Sequence, residues 1–143
     1  MKLKLLHVTA AAFIAFTLMR VPAAFGQVSA EATAFVKKWD RSGKGLLDLK
    51  AIMNAAMVKF EYVDKDHTGR LTEQQLSTEL TPREFRAANP DGDKTIGAEE
   101  WFNLVRRRFQ AANPDHDGSI SVAELETPQG KRLLKLLQNA QNP

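Results

Sequence analysis

One loop pattern occurs four times in this chain, and its spacing leaves few folds open. Its fullest form is Asn113-Pro114-Asp115-His116-Asp117-Gly118-Ser119-Ile120-Ser121-Val122-Ala123-Glu124. A second form is Asn89-Pro90-Asp91-Gly92-Asp93-Lys94-Thr95-Ile96-Gly97-Ala98-Glu99-Glu100. A third begins Asp64-Lys65-Asp66-His67-Thr68-Gly69-Arg70-Leu71 and runs to Gln75. A fourth, eroded copy starts at Asp40 and keeps Gly45, Leu47 and Asp48. The copies begin at positions 40, 64, 89 and 113, a period of 24, 25 and 24 residues. A register kept over most of a chain marks a structural repeat.

The pattern within each copy is what a hard divalent cation requires. Ca²⁺ takes six to eight oxygens at about 2.3–2.6 Å, and a 12-residue loop supplies them from positions 1, 3, 5, 7, 9 and 12. Position 7 gives its backbone carbonyl, and a Glu at position 12 gives both oxygens. Position 6 turns at positive φ, where Gly costs least. Position 8 is apolar and anchors the loop to a neighbouring loop, as Leu47, Leu71, Ile96 and Ile120 are placed to do. The candidate ligands are therefore Asn113, Asp115, Asp117, Ser119, Ser121 and Glu124 in the last loop. The third loop offers Asn89, Asp91, Asp93, Thr95 and Glu100, and the second Asp64, Asp66, Thr68, Arg70 through its carbonyl, and Gln75.

Charge ranks the loops. Loops 113–124 and 89–100 each carry a net charge of −3, loop 64–75 carries −1 and loop 40–51 carries +1. In loop 89–100, Lys94 stands at the glycine position, at a cost of about 1 kcal/mol. Gln75 replaces the closing Glu of the second loop. In the first, Lys44 stands at a ligand position and Ala51 at the closing one. That loop is expected to be a retained scaffold element, with the Lys44 ammonium as a substitute for the ion.

Helices are expected between the loops. Leu49, Ile52, Met53, Ala56, Met57, Phe60 and Val63 follow the spacing of one buried helical stripe, as do Phe102, Val105 and Phe109. Leu133, Leu136, Leu137 and Ala140 form a third stripe. Thr81-Pro82-Arg83-Glu84 has the signature of a helix start, and so has Thr127-Pro128, with a break expected from Ser77 to Thr81. With so few residues between loops, each helix has to leave one loop and lead into the next.

The amino-terminal 26 residues read separately. Lys2 and Lys4 precede a mostly apolar run from Leu5 to Met19, and Ala24-Phe25-Gly26 makes a small-residue exit. This is the pattern of an export signal, too short for the ~20 apolar residues that span a bilayer. Residues 27–143 then form a single domain, expected in the periplasm or secreted. Lys2, Lys4 and Arg20 carry the chain's whole net charge of +3, so the remainder is neutral. A neutral domain excludes a nucleic-acid reading. The absence of cysteine excludes a disulfide scaffold and thiolate metal sites. His67 and His116 fall at loop position 4, whose side chain points away from an ion. Arg106-Arg107-Arg108 is expected to be a solvated helix face, and Met53 and Met57 core residues. No nucleophile–base arrangement or phosphate loop is visible, and no enzymatic activity is expected.

The loops resemble EF-hands. The compact spacing, Pro90 and Pro114 at loop position 2, the helix start at Thr81 and the stretch from Phe109 to Ile120, continuing to Glu124-Leu125 and Pro128, resemble lanmodulins, exported lanthanide-binding EF-hand proteins. The resemblance covers roughly residues 35–137. It implies an all-α fold, a small helical bundle with four short-spaced loops at its periphery, in the periplasm of a Gram-negative bacterium. Position 9, acidic in lanmodulin loops, is Asp48, Thr72, Gly97 and Ser121 here. Sites with three ligand carboxylates suit a divalent ion. The expectation is therefore a monomeric Ca²⁺ buffer, carrier or metal-stabilised module that binds ions in two to three loops, with stronger sites at 113–124 and 89–100 and a weak third at 64–75. The alternatives are a lanthanide ion as ligand, or a second exported protein bound to a metal-switched surface.

Overall fold

The computed structural model describes residues 28–138. The expected export signal and Ala140 lie outside the described residues. Within them the chain is mostly helical. Helix α1 (Ala30–Trp39) is followed by strand β1 (Leu46–Asp48), α2 (Leu49–Val63), β2 (Arg70–Thr72) and α3 (Pro82–Ala88). Then come β3 (Thr95–Gly97), α4 (Ala98–Ala112), β4 (Ser119–Ser121), α5 (Val122–Leu125) and α6 (Pro128–Leu137). The all-α expectation needs one amendment: the four strands form two short antiparallel sheets, β1 with β4 and β2 with β3.

Each strand is positions 7 to 9 of one loop pattern, and its central residue is the apolar anchor. Leu47 faces Ile120 and Leu71 faces Ile96, all four fully buried. The pairing is nested, first loop with last and second with third. Around these anchors α4 packs chiefly on α6 and α2. Trp101, in the first turn of α4, is fully buried, and its indole donates to the Ala56 carbonyl at 2.9 Å.

Helices α2 and α4 each leave one loop and lead into another, as the short spacing requires. Between the second and third loops this fails. Residues 73–79 form turns rather than a helix, so the break begins earlier than Ser77. Helix α3 then starts at Thr81 with a capping box: the hydroxyl accepts from the Glu84 N–H and the Glu84 carboxylate accepts from the Thr81 N–H. Thr127 caps α6 by accepting from the Gly130 N–H.

The buried stripe of α2 is rotated from the expected one, leaving Leu49 and Val63 only partly buried. It consists of Ile52, Ala55, Ala56, Lys59 and Phe60, while Met53 is half-buried and Met57 is 47% exposed. Met53 and Met57 fall at the stripe's edge, so Met57 is a surface residue and not core. Arg108 is not wholly solvated either. It turns inward to donate to the Arg132 carbonyl at 2.7 Å and to pair with Glu84 at 3.2 Å. Among the described residues no helix is long and apolar enough to cross a membrane.

Candidate metal centre

Every loop turns at position 6 as the pattern demands. Gly45, Gly69 and Gly118 have φ of 73°, 72° and 87°, and Lys94 adopts 71° at the same place. The turn is therefore set by the loop as a whole and not by its glycine alone. Position 4 is also left-handed, with Gly43 at 70°, His67 at 53°, Gly92 at 72° and His116 at 58°. Both histidines are exposed.

In loops 40–51, 89–100 and 113–124 the last residues double as a helix start, and in the latter two this positions the closing Glu. In loop 113–124, one oxygen of Glu124 accepts from the Ser121 N–H and hydroxyl, both at 2.8 Å. In loop 89–100, one oxygen of Glu100 accepts from the Gly97 N–H at 2.9 Å. The other oxygen of each carboxylate, Oε1, is buried and has no hydrogen-bond partner, and neither has Asn113 Oδ1. Buried polar atoms are nearly always satisfied, so each such orphan calls for a reason. Here the orphans occupy positions 12, 12 and 1 of the two loops with the highest negative charge. They are acceptors only, as a hard cation requires.

The neighbouring carboxylates are arranged by their own loops. Asp117 accepts from the Ser119 N–H and hydroxyl at 2.8 and 2.9 Å, and Asp115 from the Asp117 N–H at 3.3 Å. Asp93 accepts from the Thr95 N–H and hydroxyl at 2.9 and 2.8 Å, Asp91 from the Asp93 N–H at 3.2 Å, and Asn89 from the Gly92 N–H at 3.0 Å. The Thr95 hydrogen bonds, with the nearby Arg70 charge, hold the Asp93 carboxyl below its ordinary pKa. Among the described residues no three His, Cys, Asp or Glu side chains form a cluster able to hold an ion by themselves. To hold an ion, these two loops would need also Asn89 or Asn113 and the carbonyl of Thr95 or Ser119.

The other two loops satisfy themselves. Asp40 accepts from the Ser42 N–H and hydroxyl, the Gly43 N–H and the Gly45 N–H, at 2.6–3.0 Å. These bonds, the Ser42 hydroxyl foremost, lower its pKa. The expected substitution by Lys44 is not found: that side chain is exposed, and backbone N–H groups with Ser42 fill the place instead. Asp48 caps α2 by accepting from the Ala51 N–H. In loop 64–75, Asp64 accepts from the N–H groups of Thr68 and Gly69, and the Arg70 carbonyl accepts from the Thr68 hydroxyl. The Thr68 hydroxyl also lies 3.4 Å from Asp66. Gln75 accepts from Thr72 through its oxygen and donates through its nitrogen to the Val63 carbonyl. The carboxylate oxygen left over in loops 89–100 and 113–124 is replaced here by an engaged N–H group. No buried side-chain acceptor is orphaned in either of these loops among the described residues.

Helix α6 backs directly onto the last loop. A Cβ at Gly130 would lie 2.0 Å from the Glu124 carbonyl oxygen, so only glycine permits this approach. Nothing in the loop pattern pointed to Gly130. No family model matches the chain, and no curated protein matches it.

Proposed function

We propose that this is an exported EF-hand protein that binds Ca²⁺ in loops 89–100 and 113–124 and acts as a metal buffer, carrier or metal-stabilised module. The observation that carries the reading is the buried, unpartnered Oε1 of Glu100 and of Glu124, each at the place where a bidentate carboxylate closes a calcium loop. Asn113 Oδ1 adds a third orphaned acceptor at a ligand position. Loops 40–51 and 64–75 serve as paired scaffolds, because among the described residues neither has a buried side-chain acceptor left without a partner and neither closes on a Glu.

The absence of a fourth carboxylate favours a divalent ion over a trivalent one. At position 9, Gly97 has no side-chain donor, and Ser121 spends its hydroxyl on Glu124. Three acidic ligands per site place the affinities in the weak half of the EF-hand range, on the order of 10⁻⁵–10⁻³ M for Ca²⁺. Calorimetric titration, followed in parallel by circular dichroism, tests this. Two ions are expected, with Glu124→Gln removing the tighter one. Unchanged stoichiometry and affinity in that variant would sink the ligand assignment. Retention of Tb³⁺ against tens of millimolar Ca²⁺, about ten-fold or more above the weakest EF-hand dissociation constants, would make a lanthanide the better ligand.

A further inference from the structure

The two candidate metal loops are built alike but have different partners across their strands. Loop 113–124 pairs through β4 with β1, and Leu46 stands opposite Ser121. Loop 89–100 pairs through β3 with β2, and at the equivalent place Arg70 stands opposite Gly97. The Arg70 guanidinium crosses between the strands, ion-pairs with Asp93 and donates to the Thr95 hydroxyl at 2.9 Å. One Asp93 oxygen accepts from Thr95 and the other from Arg70. Asp117, the matching carboxylate of the last loop, has no basic partner among the described residues.

We propose that Arg70 is a tethered counter-cation of loop 89–100, lowering its affinity for metal ions and discriminating against ions of higher charge. The inference rests on the metal-loop reading and deepens it. To use Asp93 as a ligand, an incoming ion has to displace the guanidinium. The displaced group stays close by, because its backbone is fixed in the β2–β3 pair. Its repulsion of the ion rises in proportion to the ion's charge, half as much again for a trivalent ion as for a divalent one. Loop 113–124 has Leu46 in the matching place and no ion pair to Asp117 among the described residues. The Arg41, Lys44 and Lys50 side chains, which line one cavity with Asp117, therefore oppose an ion there only without a tether.

The test uses the full chain carrying Glu124→Gln, which leaves loop 89–100 as the metal site, titrated with Ca²⁺ and separately with Tb³⁺. The Arg70 side chain is half exposed, so the effect is modest. Arg70→Gln should tighten Ca²⁺ by about two- to five-fold, in keeping with an exposed ion pair. Tb³⁺ should tighten more, about three- to ten-fold by the same scaling with charge. Arg70→Lys, which keeps the charge, should hold the ratio of Tb³⁺ to Ca²⁺ affinity near that of the parent. A merely structural role for Arg70 predicts weaker binding on substitution and no dependence on ion charge. Adding Glu100→Gln distinguishes the two levels of the argument. Loss of binding with Glu100→Gln but unchanged affinities with Arg70→Gln overturns the role of Arg70 and leaves the loop reading standing. Binding undisturbed by Glu100→Gln overturns both.

Discussion

Lys94 holds φ at 71° in the place where three of the four loops have glycine. A non-glycine residue there costs roughly 1 kcal/mol, and the exposed ammonium adds positive charge beside the candidate ligands. Lys94→Gly removes both penalties and is expected to tighten metal binding by loop 89–100 by about five-fold or more, since each 1.4 kcal/mol is a factor of ten. Lys94→Ala removes the charge but keeps the strain, so calorimetry on the two variants separates the contributions. Equal affinities for Lys94→Gly and the parent would show that the loop conformation carries no such cost. This turn was legible from the sequence because three glycines fixed its position in the register. The left-handed residue at position 4 was not legible, because glycine and histidine share that place and the pattern shows no single preference.

Lys59 shows how an irregular element is held. It lies in the middle of α2, only 2% exposed, and donates to Glu79 at 2.6 Å and to the Gln138 carbonyl at 3.0 Å. One ammonium thus joins α2, the turns of residues 73–79 and the end of α6. Lys59→Met leaves a buried carboxylate uncompensated and is expected to cost about 3 kcal/mol in urea unfolding, part of which Glu79→Leu in the same chain should restore. Acid should weaken the same tie. Burial raises the Glu79 carboxyl, but hydrogen bonds from Lys59 and Thr78 and the Lys59 charge outweigh it, so its pKa falls below the ordinary 4.5. A carboxyl depressed in the folded state contributes its full stability above about 4.5 and loses it as pH falls through the folded value. The midpoint temperature of thermal unfolding should therefore fall on acidification below 4.5, and fall less steeply in Glu79→Gln. The helical period of α2 was readable from its apolar residues. The burial of Lys59 was not, because its partners come from a turn and a helix end far along the chain.

At the scale of the molecule, the nested pairing links the scaffold loops to the candidate metal loops. Leu47 is fully buried against Ile120, at the base of loop 113–124. Leu47→Ala should cost about 2–4 kcal/mol of stability. It should also weaken Ca²⁺ binding to loop 113–124 while leaving loop 89–100 nearly unchanged. Equal weakening of both, in variants carrying Glu100→Gln or Glu124→Gln to isolate each loop, would show that the pairs do not act separately. The sequence revealed that each loop has an apolar anchor, but Leu and Ile are interchangeable there, so it could not reveal which anchors meet. The choice is made by α2 and α4, which lie side by side and direct their loops to opposite ends. The first and last described segments also meet: the Ser29 N–H donates to Glu126 at 2.8 Å, and the Gln138 side chain to Glu31 at 3.1 Å. This nesting has a kinetic consequence. Leu71 and Ile96 are 25 residues apart, Leu47 and Ile120 are 73. Formed alone, the outer pair costs about 1 kcal/mol more in closure entropy than the inner. With the inner pair already in place, most of that intervening chain is taken up and the difference shrinks. Assembly should therefore proceed from the inner loop pair outward, and α1 and the segment from Glu126 to Gln138 should be the last to meet and the first to separate.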